Sequence, residues 1–110
     1  MKIVIVGAGK IGYSLAEELA NENHDITVVD IEKEKVKLLS DTLDVMTLCG
    51  NGAAISVQRE ANVDESDLLI AVTAQDELNL LCCLVAKKIG ARHTIARVRN
   101  PEYAGELSLI

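Results

Sequence analysis

Five short apolar, β-branched runs recur along the chain, at residues 3–6, 26–29, 45–48, 68–72 and 94–98. They do not alternate with polar residues, as strands with one wet face do. The pattern predicts strands covered on both sides, the arrangement of a parallel sheet flanked by helices. Between the runs the spacing becomes helical. Residues 11–22 set Ile11, Leu15 and Leu19 on one side and Glu17, Glu18 and Glu22 on the other. Residues 32–41 carry Val36 and Leu39 beneath a Lys/Glu-rich face, and residues 75–89 carry Leu78, Leu81, Leu84, Val85 and Ile89. That last helix has Asp76 and Glu77 in its first turn, Lys87 and Lys88 in its last and Gly90 just beyond, as the helix dipole and C-capping prefer. Residues 53–61 read as a weaker helix with fewer apolar anchors. Strand and helix alternating with right-handed crossovers give an α/β fold, a Rossmann-like doubly wound parallel sheet with strand order 3-2-1-4-5. Pro101, the only proline, opens a final segment 101–110 that is expected to begin a fifth helix, and the sheet is expected to end before a sixth strand.

With 110 residues the chain is read as a single domain, 1–110, without room for separate cofactor and substrate domains. Its 49% hydrophobic and 25% charged content is that of a folded protein and excludes low-complexity readings. The core must be aliphatic, because there is no Trp, no Phe and only Tyr13 and Tyr103. That scarcity, with a net charge of −6, argues against a nucleic-acid partner. Every apolar run falls far short of the roughly 20 residues of a membrane span, and the opening run, ended at Gly7, is too short for a secretory signal. Cys49, Cys82 and Cys83 are odd in number and lack C-x-x-C spacing, which suggests reduced thiols, no zinc site and a cytoplasmic location.

Gly7-Ala8-Gly9-Lys10-Ile11-Gly12 is a G-x-G-x-x-G sequence between a predicted strand and a predicted helix. In that context Gly7 makes the tight turn, Gly9 lets a pyrophosphate approach the backbone, Gly12 lets helix pack on strand, and the helix N-terminus attracts the anion. Asp30 closes the second predicted strand, where a carboxylate accepts from the adenosine ribose hydroxyls and repels a 2′-phosphate. This favours NAD over NADP and suits ATP or ADP equally. Gly50-Asn51-Gly52 falls on the same sheet edge and reads equally as an adenine loop or as a plain turn. Thr73, at the end of the fourth strand, faces the central crevice, caps the next helix, or does both. Lys10, Arg97 and Arg99 gather on this edge, suggesting a polyanionic ligand, with ordinary surface solvation as the alternative.

Catalytic candidates are absent from that edge. His24 and His93 precede strands two and five, so they belong to the opposite edge. Cys49 lacks an identifiable base and is expected to be a packing residue, as are Cys82 and Cys83. Asp64, Glu65 and Asp67 are expected to form a solvated turn, and no metal cluster is predicted. Residues 80–86 are all apolar or cysteine, which suggests either a subunit contact on the outer face of that helix or burial within the monomer.

Taken together, the glycine loop, Asp30, Gly50-Asn51-Gly52, the run from Thr73 to Asn79 and the run from Ile95 to Tyr103 resemble the N-terminal domain of the RCK (KTN) family over essentially the whole chain. The resemblance implies a regulatory nucleotide sensor rather than an enzyme. NAD or NADH is the implied ligand, with ATP or ADP also considered, and ligand binding would change the subunit arrangement. Residues matching Gly7, Ala8, Gly9, Lys10, Ile11 and Gly12 underlie the nucleotide, Asp30 holds its ribose, and Asn51 lies near its adenine. Thr73, Arg97 and Arg99 face the phosphates or the nicotinamide end. Lys10 stands where relatives often carry an arginine. The implied partners are the membrane subunit of a potassium transporter and further copies of the domain, as a dimer or ring at the inner face of the cell membrane. Relatives continue into a sixth strand, a crossover helix and a C-terminal ligand domain. A cofactor-binding fragment of an NAD-dependent dehydrogenase fits the glycine loop and Asp30 equally, and the charged run Arg97-Val98-Arg99 is what tells against it. A third reading, a scaffold with a vestigial site, predicts no nucleotide binding.

Overall fold

The computed structural model describes residues 1–103. Five parallel strands, β1 (Lys2–Val6), β2 (Asp25–Asp30), β3 (Met46–Cys49), β4 (Leu68–Ala71) and β5 (His93–Ala96), form one sheet in the order β3-β2-β1-β4-β5, the expected doubly wound topology. Four helices connect them: α1 (Lys10–Asn21), α2 (Lys33–Thr42), α3 (Ile55–Glu60) and α4 (Asp76–Ile89). Alternate residues of the central strands feed two separate cores. Ile3, Ile5, Ile26 and Val28 pack with Ala16 of α1 and Leu39 of α2. Val4, Val6, Val29, Leu69 and Ala71 pack with Cys82 and Ala86 of α4. Both faces are dry, so the central strands show no polar alternation.

The boundaries shift where side chains compete for backbone. β4 and β5 stop at Ala71 and Ala96, short of the predicted ends at Val72 and Val98. Just beyond β5, Asn79 Nδ2 donates to the Arg97 carbonyl at 2.9 Å, and the Asp76 carboxylate accepts from the N–H groups of Arg99 and Asn100 at 3.0 and 2.8 Å. The backbone is thus drawn from the sheet onto the first turn of α4. Pro101–Tyr103 is a short 3-10 turn, and the rest of the predicted fifth helix lies outside the described residues.

Two expectations need correction. Cys49 is exposed rather than packed, its thiol 3.5 Å from the Ile31 carbonyl, because it ends a strand at the sheet's edge. Asp67 is not part of a solvated turn: its carboxylate accepts the Lys2 N–H at 2.8 Å and pins the start of β1 to the start of β4. Residues 80–86 divide between two sides of α4. Cys82 and Ala86 are fully buried under the sheet, whereas Leu81 and Leu84 are 48% and 47% exposed on the opposite side of α4.

Candidate nucleotide-binding cleft

A cleft of about 510 Å³ opens at the carboxyl ends of β1, β2 and β4. It lies where the strand order reverses between β1 and β4, the place where doubly wound sheets bind ligands. Its floor is the glycine loop. Gly7 has φ +115°, and a Cβ there would lie 3.0 Å from the backbone of Val72 and Thr73. Gly12 touches Gly7 so closely that a Cβ would sit 1.7 Å from the Gly7 carbonyl oxygen. Gly9 differs from both: a Cβ built there meets nothing within 4 Å. The chain's own packing therefore does not require glycine at position 9, and the open space faces a cleft that Gly9 lines.

The N-terminus of α1 is left open toward this space. Gly9 is its N-cap, no side chain caps it, and its first turn holds no acidic residue. Unspent N–H groups and the positive end of the helix dipole suit an anion.

Charge is divided along the cleft. Asp30 and Glu32 stand at the β2 end, where Lys35 is paired with Glu32 at 2.6 Å, Lys10 begins α1 behind the central strand β1, and Arg97 follows β5 at the other end. Asp30 has a second duty that the sequence did not show. Its Oδ2 accepts the Ala8 N–H at 2.7 Å and its Oδ1 accepts the Glu32 N–H at 2.8 Å. It therefore fastens the glycine loop to β2, and each oxygen keeps acceptor capacity.

Of the residues expected at the site, Gly7, Gly9, Lys10, Ile11, Asp30, Asn51, Thr73 and Arg97 line the cleft. Ala8 and Gly12 lie beneath it as supports, both buried. Arg99 is outside its lining, with its guanidinium donating to the Ala74 carbonyl at 2.7 Å. Asn51 folds its Oδ1 back onto the Ala53 N–H at 2.9 Å, so the turn and the cleft-wall readings of this loop hold together. Cys82 and Cys83 of α4 are not reactive groups: burial pushes Cys82 up to about 12 and Cys83 up to about 11, so both stay protonated at neutral pH. Among the described residues no group of His, Cys, Asp or Glu is placed to hold a metal ion, and no helix is long and apolar enough to cross a membrane.

Two buried amides had no role assigned from sequence. Asn79, which closes the Thr73–Asn79 run and is a polar residue between Leu78 and Leu80 in an apolar helix, is fully buried and joins Thr73 to Arg97. Gln58 donates from Nε2 to the carbonyls of Gly52 and Cys82 at 2.8 and 3.0 Å, tying the Asn51 loop to α4.

Asp76 shows a pH dependence of its own. The N–H groups of Arg99 and Asn100 hold its carboxyl below the ordinary value of 3.8. A depressed folded value means that the anchoring is complete above the unfolded pKa and is lost as pH falls through the folded one. The Arg99 and Asn100 amide resonances are expected to be constant from pH 8 down to about 5 and to move together only below 3.8, with Asp76→Asn abolishing the step. A midpoint at or above 3.8 would show that the contact does not hold in solution.

The sheet order, the glycine loop and the acid at the end of β2 define a Rossmann-like domain of the nucleotide-binding class. The chain belongs to the TrkA-N domain family, whose model matches residues 3–110. It is 48% identical over 103 residues to the Trk system potassium uptake protein TrkA homolog of Archaeoglobus fulgidus, covering 94% of this chain. The chain spans only 23% of that relative's length. Among solved structures, the fold is similar to the NAD(P)-binding domain of an exopolyphosphatase-related protein from Archaeoglobus fulgidus, with a TM-score of 0.85 and 22% identity over 97% of this chain and 80% of that one. It is equally similar to the GsuK channel bound to NAD, with a TM-score of 0.85 and 23% identity over 98% of this chain and 20% of that one.

Proposed function

We propose that this domain is a regulatory nucleotide sensor of a potassium-uptake system, binding NAD or NADH in the cleft, with ATP and ADP as competing adenine nucleotides, and not turning them over. The observation that carries the reading is the space beside Gly9, which the fold leaves open directly in front of an uncapped helix N-terminus. A loop that served only to join strand to helix would not need glycine there. The adenosine ribose lies against Asp30, the adenine near Asn51, and the phosphates over Gly9 and Lys10. Ala8 and Gly12 hold the loop from below, and Arg97 supplies a cation at the far end. Arg99 acts from outside the cleft by fixing the segment after β5 to the start of α4.

The potassium system enters through the family and the uptake proteins to which the chain is similar. The partner is then the membrane subunit of the transporter, and the domain sits peripherally at the inner face of the membrane. The exposed Leu81 and Leu84 support self-association through α4, as a dimer or a higher ring. Ligands act by preferring one subunit arrangement over another, and a ligand with equal affinity for both would have no effect.

Calorimetry with NAD, NADH, ATP and ADP tests the reading. Asp30→Asn is the milder variant, because it keeps an acceptor for one of the Ala8 and Glu32 N–H groups whereas Asp30→Ala removes both, and a thermal melt of each variant separates loss of the loop from loss of the ribose contact. Asp30→Asn is expected to weaken NADH and ATP alike, by roughly tenfold or more, since both present ribose hydroxyls to a charged acceptor. Unchanged affinity for both would remove Asp30 from the ribose site, and hydride transfer to any substrate would restore the dehydrogenase reading.

A further inference from the structure

The hydrogen bonds of Asn79 determine which way the Thr73 hydroxyl points its proton. Asn79 is fully buried and its orientation is set by backbone partners whose polarity is unambiguous. Its Oδ1 faces the Thr73 N–H at 2.8 Å, and its Nδ2 faces the carbonyls of Thr73 and Arg97 at 3.1 and 2.9 Å. The reverse orientation would set the amide NH2 against an N–H and the amide oxygen against two carbonyls. Thr73 Oγ1 lies 2.7 Å from the same Oδ1, an acceptor, so the hydroxyl must be the donor. A hydroxyl has one proton. The Gln75 carbonyl, at 3.3 Å, is the longer of the two acceptors in reach, and with the proton spent on either one Thr73 Oγ1 accepts the Gln75 N–H at 3.2 Å and has only a lone pair left to offer.

We infer that Asn79 is a specificity-determining residue that makes Thr73 a hydrogen-bond acceptor toward the cleft, so that the ligand must present a donor there. The inference rests on the nucleotide reading of the cleft and goes further, because it separates the candidate ligands. The hydroxyls of a second ribose and the NH2 of a carboxamide are donors. An ionised terminal phosphate has only acceptors and would meet a lone pair. The cleft therefore selects a dinucleotide over a nucleoside polyphosphate at Thr73, even though Lys10 and Arg97 would attract either. Asn79 touches no ligand itself. It acts by consuming one proton and by holding the Thr73 and Arg97 backbones together.

The test compares NAD, ATP and adenosine by calorimetry on wild type, Asn79→Ala and Thr73→Val, with thermal melts as the control for folding. Asn79→Ala leaves the Thr73 proton only the longer contact to the Gln75 carbonyl at 3.3 Å, which an ionised phosphate outcompetes, so the ratio of NAD to ATP affinity is expected to fall by roughly tenfold, the scale of one hydrogen bond exchanged for a mismatch. Adenosine, which does not reach Thr73, is expected to change by less than about threefold. Thr73→Val keeps the residue's shape and removes the acceptor, so it is expected to weaken NAD and leave ATP unchanged or tighter, and it decides the matter if Asn79→Ala does not fold. Equal losses for all three ligands in Asn79→Ala would reduce Asn79 to a structural brace and overturn the inference. ATP weakened as much as NAD in Thr73→Val would do the same. A wild type that binds none of the three removes the nucleotide reading, and the inference falls with it; a wild type that binds them without the predicted shifts removes the inference alone.

Discussion

Gly12→Ala is expected to lower stability by about 3 kcal/mol or more, because the added carbon would overpack a contact between backbones. The new Cβ would lie 1.7 Å from the Gly7 carbonyl oxygen and 2.7 Å from its carbon. Neither neighbour is a flexible side chain, so relief requires α1 to lift from β1 or the Gly7 turn to open. Two effects oppose each other here. Alanine inside a helix is favoured over glycine by about 1 kcal/mol, which would stabilise α1 if space allowed. A separation well inside van der Waals contact outweighs that gain, and the sign is destabilising. For a domain near this size a loss of 3 kcal/mol lowers the melting temperature by about 12 °C or more. A melting temperature equal to wild type would mean that the close approach of α1 to the loop does not exist in solution.

Gly9→Ala is expected to do the reverse, leaving the fold in place and weakening nucleotide binding. The substituent meets nothing within 4 Å, and the φ of −74° at this residue is open to any amino acid. Losing glycine at a helix N-cap costs about 1 kcal/mol or less. The same methyl group stands where a pyrophosphate must approach the backbone, so affinity for NAD and ADP is expected to fall by roughly a hundredfold, about 2.7 kcal/mol. Adenosine, lacking phosphates, should lose much less. The pair of variants separates structure from function within one hexapeptide: loss of stability is expected at Gly12 and loss of affinity at Gly9. Wild-type affinity for NAD in a folded Gly9→Ala would place the ligand elsewhere in the cleft or show that the glycine loop is only a connection.

Much of this architecture was legible in the order of residues because it rests on local physics. Near-continuous apolar strands at 3–6 and 26–29 required two dry faces, and helical spacing between them required crossovers, so the parallel order followed. The glycine loop and Asp30 were equally legible, since strand, turn, helix and a second strand bring them to one edge. What could not be read were interactions set by partners distant in sequence. Asp30 is divided between Ala8 and Glu32, Asp67 holds Lys2, and Asp76 reaches across to Arg99 and Asn100. Each side chain looked like an ordinary surface or site carboxylate until the backbone N–H opposite it was in place. The run at residues 80–86 was legible only in part for the same reason, because periodicity gives the direction of a side chain but not what stands in front of it.

By itself the sequence determined the doubly wound sheet, the nucleotide-type loop and the edge on which a ligand would lie, because periodicity, turn chemistry and short spacings act within a few residues. Only the tertiary structure decided that Gly9 is open while Gly12 is closed, that Arg97 lines the cleft while Arg99 braces the chain behind it, and that Asn79 sets the polarity of Thr73. These are matters of distance and of hydrogen-bond direction between segments the chain brings together only on folding, where a separation of one or two ångströms, or the placement of a single proton, reverses what a residue can do.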